Sequence, residues 1–387
     1  MAALSFNRQG PFYRLQCRLG LVGEDSLRVG RRAAIFVALS WLPAVLLAAL
    51  QGLALNAQHE RALLFDFNAY AFALGVVAFV LMEQTSDKRM AWLVDQFVAR
   101  DIVRDAARAG FVRARLNMER RTGSPWVEVL IGVAACAVSY EWLLAGATRI
   151  PGGTWFGHIV DGALRLSWAG WWTALVALPL FWFLLGRWLW RFITWGMMLR
   201  DIARCELRLV ATHPDRCGGI AFIGQYPKTY LMFVFALSSL VAGGVLKSVV
   251  YAGASLLSFK FALFGMIAFL CVAFVVPLLA FTPVLVALKR QGLSHYGSLV
   301  SRHHLAFEAR WLGDDEPPPD PLGAADMSSL ADLSAAYDLV QAMRPVPVTK
   351  ASIVPLVLAA LLPLAGVALT RVPFSAILDS VKGLLLL

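Results

Sequence analysis

Apolar residues along this chain fall in long unbroken runs separated by short polar stretches, and the length of each run predicts a helix that crosses a membrane. The runs are Ala33 to Leu55, Phe65 to Met82, Pro125 to Ala145, Trp168 to Trp190, Tyr230 to Leu246, Lys260 to Leu288 and Ser352 to Leu369. At about 1.5 Å per residue each reaches most or all of the way through the ~30 Å hydrocarbon core of a bilayer. The fourth run organises the rest. It carries no charge until Arg187, and tryptophans mark both its ends, Trp168, Trp171 and Trp172 at one and Trp188 and Trp190 at the other. An indole has an apolar body and one N–H to satisfy, so it prefers the headgroup region and marks the two interfaces. The expected fold is all-α and polytopic, with about seven transmembrane helices and amphipathic helices between them. Pro277 and Pro283 predict a bend in the sixth span.

The polar intervals divide the chain. Residues 1–32 form a basic arm, 33–82 a transmembrane hairpin and 83–124 a cytoplasmic helical segment. Residues 125–288 form a four-helix transmembrane region interrupted by a cytoplasmic turn at about 200–228. A second cytoplasmic helical segment covers 289–350, and 351–387 holds the last span and a tail expected along the outer interface. In the arm, Phe12, Tyr13, Leu15 and Leu19 suit a segment lying on an anionic membrane surface. Between 83 and 123, Met90, Leu93, Val94, Phe97, Ile102 and Val103 recur at about helical spacing, which predicts an amphipathic helix or helix pair. In the second segment Asp326 is expected to cap a helix from Met327 to Met343, ended by Pro345. Of the 35 Lys and Arg residues, 28 fall in the arm and the intervals assigned to one side. That bias puts the N-terminus in the cytoplasm and, with seven crossings, the C-terminus outside.

Composition narrows the class. With 59% hydrophobic and 16% charged residues and a mean hydropathy of +0.66, the chain is too apolar for a soluble globule. The formal charge of +10 is dispersed across segments flanking the spans, with no basic stripe interleaved with aromatics, so membrane topology accounts for it and nucleic acid does not. The five cysteines, Cys17, Cys136, Cys205, Cys217 and Cys271, form no CxxC pair. No phosphate-binding loop, nucleophile elbow, HExxH helix or GxGxxG turn is present, so no catalytic residue and no cofactor is assigned.

The most site-like constellation is the turn Thr212, His213, Pro214, Asp215, Arg216, Cys217, Gly218, Gly219. Proline fixes one backbone angle and the glycines free two others, so that imidazole, carboxylate and guanidinium could converge on an anion or lipid headgroup. The alternative is structural, with Asp215 capping the following turn. Arg200, Arg204 and Arg208 recur every four residues and are expected to share one face of the helix leaving the membrane, lining a vestibule or pairing with headgroups. A metal at Cys205, His213, Asp215 and Cys217 would need a spacing that matches no zinc pattern, and no metal site is assigned. Glu128 and Glu141 are expected to reach the two interfaces. Span five holds Ala236, Ser238, Ser239, Ala242, Gly243 and Gly244, small residues that let another helix approach closely or line a pore.

AGWWTALVALPLFWFLLGRWLWR followed by LRLVATHPDRCGGIAFI resembles a group of uncharacterised proteobacterial inner-membrane proteins with a Trp- and Arg-rich span leading into a His-Pro-Asp-Arg-x-Gly-Gly turn. The likeness extends through PLLAFTPVLVALKRQGLSHYG and PLGAADMSSLADLSAAYDLVQAMRPVPV and covers about half the chain, while Tyr70 and Phe72 depart from it. The resemblance implies the same multi-pass fold in a bacterial inner membrane and brings no activity. The leading expectation is an oligomeric channel or small-solute pathway. A membrane scaffold or sensor binding a partner through its cytoplasmic helices is the rival, and a lipid-binding or lipid-modifying protein the third. Membrane lipids, a second copy of the chain and a cytoplasmic protein are the expected partners.

Overall fold

The computed structural model describes residues 7–23, 27–55, 62–149, 154–160, 163–312 and 325–369. It is an all-α polytopic bundle in which seven stretches among the described residues are long and apolar enough to cross a membrane. A short amphipathic helix α1 (Pro11–Arg18) precedes α2 (Val29–Leu50). Helix α3 (Phe67–Ala99) runs without a break through the predicted end of span two, so the second span and the first polar helix are one rod about 50 Å long. Helix α4 (Asp105–Thr122) follows, and α5 (Pro125–Arg149) is the third crossing.

An antiparallel ladder of β1 (Gly157–Val160) and β2 (Ala163–Leu166), Gly157 opposite Leu166, follows; the sequence pattern did not predict it. The central rod is α6 (Trp168–Trp172), a π-helical turn (Thr173–Ala177) and α7 (Leu178–Ala203). Ser167 caps it by accepting the Gly170 N–H. Beyond the polar turn come α8 (Leu231–Tyr251), α9 (Lys260–Val275), α10 (Thr282–Trp311), α11 (Ala325–Gln341) and α12 (Lys350–Leu369). The expected bend in the sixth span takes the form of a 3-10 stretch, Val276–Phe281, between α9 and α10, because Pro277 cannot donate into the α-helical ladder. Asp326 lies within the first turn of α11, not before it, and its carboxylate faces Trp311 and Arg310 of α10. The expected interfacial tail lies outside the described residues, as do the loop at 56–61 and the prolines at 317–321.

The two ends of the bundle differ. At the β end, Trp168 N–H bonds Gln51, Tyr251 OH bonds the Phe65 carbonyl, and Trp155 Nε1 donates to Asp66 at 2.8 Å. At the basic end, Trp190 Nε1 donates to the Arg121 carbonyl, Arg121 pairs with Asp201 at 3.2 Å, and Arg89 donates to the Lys228 carbonyl. Trp168 starts the rod and Trp190 lies about 33 Å along it, before its end at Ala203, a spacing that suits two interface markers. An aromatic core that includes Phe79, Phe181, Trp188, Trp195, Tyr226, Tyr230 and Phe281 packs along the rod. Small residues let α3, α8 and α12 close around it. A Cβ on Gly243 would lie 3.2 Å from that of Ala71, and Ser238 Oγ donates to the Ala360 carbonyl. The small face of span five is therefore used inside the subunit; only Gly244 faces open space.

Candidate functional site

The polar turn after α7 is built around one carboxylate. Asp215 Oδ1 accepts the N–H groups of Cys217 (2.8 Å) and Gly219 (3.1 Å), and Oδ2 accepts that of Ala221 (3.0 Å). Such a wrap needs left-handed backbone, found at Arg216 (φ 57°), Gly218 (φ 65°) and Gly219 (φ 100°). Partial burial pushes the Asp215 pKa up, but the three backbone donors and His213 outweigh it and hold the carboxyl below its ordinary value. His213 Nδ1 lies 2.9 Å from Oδ1, to which it donates when protonated, and 3.2 Å from the Asp215 N–H, which it accepts when it is not. The chain before α12 clamps the turn from outside: Arg344 donates its N–H to the Arg216 carbonyl at 2.8 Å and its guanidinium to the carbonyls of Asp215 and Val348. Asp215 thus serves the backbone, while the Arg216 side chain is exposed.

The arginine ladder is broken. Helix α7 ends at Ala203, so Arg200 lies in its last turn and Arg204 is the C-cap, both exposed. Arg208 belongs to an extended stretch in which Leu207 bridges Val103 and the Arg208 N–H bonds the Ile102 carbonyl, and its side chain pairs with Asp101 at 2.7 Å. Helical spacing across Glu206 to Arg208 was overridden by this bridge to the loop after α3. Arg208 and His213 instead line an open cleft of about 480 Å³ with Arg100, Asp101, Gly218 and Gly219, where the Arg100 guanidinium covers the Phe222 ring at 4.9 Å. Cys205 bonds the Asp201 carbonyl and Cys217 is buried; among the described residues no three metal-ligating side chains converge.

A second constellation lies deeper. Arg32 of α2 meets Glu83 of α3 at 2.6 Å, Arg191 of α7 reaches Glu83 at 3.4 Å, and Arg187 lies 3.3 Å from Glu128 of α5 and 3.9 Å from Glu83. All five side chains are less than a tenth exposed. Glu128 therefore does not reach the interface as expected; its carboxylate faces inward and also accepts the Phe12 N–H at 2.8 Å, while Glu141 is exposed. The N-terminal segment seals the group. Phe12 covers the Arg187 guanidinium at 4.7 Å, and Asn7 bonds the Glu83 carbonyl, Ser86 and Asp87. Gly10 is required there, because a Cβ would lie 2.6 Å from Glu128 Oε1. Three cations on two anions leave one positive charge in a dry setting, where removing any partner is costly. The sequence held a signal for it: Arg187 and Arg191 are one turn apart on one face, and Glu83 follows an apolar run directly.

Fold and spans define an integral multi-pass membrane protein. Comparison with models of known protein families, with curated proteins and with solved structures finds no match.

Proposed function

We propose that this is a bacterial inner-membrane scaffold, with its N-terminus in the cytoplasm, that assembles through the helical hairpin α10–α11. The observation that carries this reading is the make-up of that hairpin. Helix α10 runs about 45 Å, yet only Leu285 and Gly292 are buried in it, and both lie in its first half. Beyond Gly292 it packs on α11 through a mostly polar seam, His303 to Ser329 and Trp311 to Asp326, with the Arg310–Asp326 ion pair at 2.8 Å. Leu299, Leu305, Leu312 and Met327 stay exposed. Helices draw their stability from packing an apolar face, and this pair packs little of its own. Helix α11 carries Asp326, Asp332 and Asp338 and no cation, while α10 beyond Leu288 carries Lys289, Arg290, Arg302 and Arg310 against Glu308. A second copy of the chain, turned about a two-fold axis, matches both the charge and the apolar residues.

This reading ranks ahead of a solute pathway because the small face of α8 packs inside the subunit and the arginine ladder is interrupted. It agrees with the inner-membrane family that the polar turn resembles. The test is mass by native mass spectrometry in detergent, with Leu305→Glu and Asp332→Lys as variants. An oligomer that dissociates in both variants supports the scaffold. A monomeric wild type, or an oligomer indifferent to both changes, removes it. Protein in liposomes is expected to pass neither anions nor cations, and flux there would restore the pathway.

A further inference from the structure

A cavity of about 50 Å³ lies near the β end, between α2, α3, α5 and the π-helical turn, on a measure by which one water needs about 10–15 Å³. Four aromatic residues line it, Trp41, Phe72, Trp142 and Trp155, and with them one ionisable group, Asp66. The wall is held firmly. Trp155, 4% exposed, is fixed by Ser167, whose Oγ donates to its carbonyl at 2.7 Å, and by Gly170, where a Cβ would lie 1.9 Å from the Phe156 carbonyl oxygen. Phe72 meets Trp142 edge to face at 5.2 Å, and Trp41 lies against Tyr70 at 5.9 Å. The π turn from Thr173 to Ala177 contributes both those residues to the lining; such turns recur at functional sites.

The polar groups specify the ligand. The Ser40 and Thr173 hydroxyls already donate to helix carbonyls, of Val37 and Ala169, so they offer little. Asp66, 3% exposed, accepts Trp155 Nε1 and the Asn68 N–H, which fixes its carboxylate at the cavity wall. Aromatic faces with a carboxylate among them attract a cation whose own shell is apolar, since ring quadrupoles stabilise positive charge that water need not hydrate. The Trp41 N–H is buried with no partner, and an oxygen on the same ligand would satisfy it.

We propose that this cavity binds a small quaternary ammonium compound bearing a hydroxyl, its charge against Asp66 and the indole rings. The site is at the opposite end of the bundle from the α10–α11 hairpin and stands whether or not hairpins pair. The probe is choline, set against its neutral isostere in which a tert-butyl group replaces trimethylammonium, measured by equilibrium dialysis on purified protein in nanodiscs. Saturable choline binding, with the isostere at least about tenfold weaker, supports the site. Asp66→Asn should weaken choline by a similar factor; its one amide oxygen can still cap α3 by accepting the Asn68 N–H, but its NH2 then faces the Trp155 N–H, so a somewhat lower melting temperature is expected as well. Ala44→Leu fills the cavity from α2 and should abolish binding, which keeps the test open if the first variant misfolds. No saturable binding at millimolar choline by monodisperse wild type, equal binding of the isostere, or full binding in a folded Asp66→Asn or Ala44→Leu protein would overturn it.

Discussion

Glu83 shows how far one side chain can decide a structure. Its carboxylate is the meeting point of Arg32, Arg187 and Arg191, which come from two helices other than its own. Glu83→Gln keeps the shape and removes the charge, leaving three buried guanidiniums with Glu128 as their remaining carboxylate. A loss of about 3–5 kcal/mol is expected, read as a fall in the detergent melting temperature or in the yield of folded protein. Asp215 acts differently, because its partners are backbone N–H groups. Its folded-state pKa lies below the ordinary carboxylate value of about 3.9, so the stability it contributes is complete at neutral pH. That contribution is lost as pH falls through the folded-state value. Asp215→Asn should therefore melt below wild type at neutral pH, and the gap should close on acidification below the ordinary carboxylate value. A gap that is constant with pH would mean that the carboxylate charge is not what holds the turn.

At the scale of elements, close approach of backbones sets the packing. Gly243 and Gly244 are neighbours in α8 and read alike in the sequence, yet a Cβ on the first meets Asn68, Ala71 and the Phe67 carbonyl at 3.1–3.2 Å and one on the second meets nothing. Gly243→Ala should destabilise by about 1–2 kcal/mol through overpacking against α3. Gly244→Ala should be neutral or stabilise by up to about 1 kcal/mol, since alanine is the better helix former. Parallel thermal melts of the two variants give the comparison. The same contrast explains what the small residues of span five do: they seat α8 on α3 and α12. A pore lining would require those residues to face a shared aqueous path, and their neighbours are protein atoms.

For the whole molecule, orientation is the proposal most open to direct test. A membrane-impermeant thiol reagent should reach His158→Cys, exposed in β1, in intact spheroplasts, and the exposed Cys17 of α1 only in inverted vesicles. The reverse pattern would invert the topology and place the α10–α11 hairpin outside. Either way the aromatic cavity near β1 and β2 lies at one end and the charge cluster and the Arg208 cleft at the basic end, joined by the single rod from Trp168 to Ala203.

Run length and composition were enough to determine, from the sequence alone, the all-α class and, among the described residues, the seven stretches long and apolar enough to cross a membrane. Those properties depend on one helix at a time and on its transfer from water to lipid, and local order along the chain encodes them. The interior use of Glu128, the break in the ladder before Arg208 and the role of Asp215 were decided elsewhere. A carboxylate at the end of an apolar run is equally compatible with a headgroup and with a guanidinium on another helix. Only the packing of α2, α3, α5 and α7, with Phe12 laid over Arg187, selects the second. The aromatic cavity was hidden for the same reason: Trp41, Phe72, Trp142 and Trp155 are far apart in the chain, and their convergence around Asp66 exists only in the folded bundle.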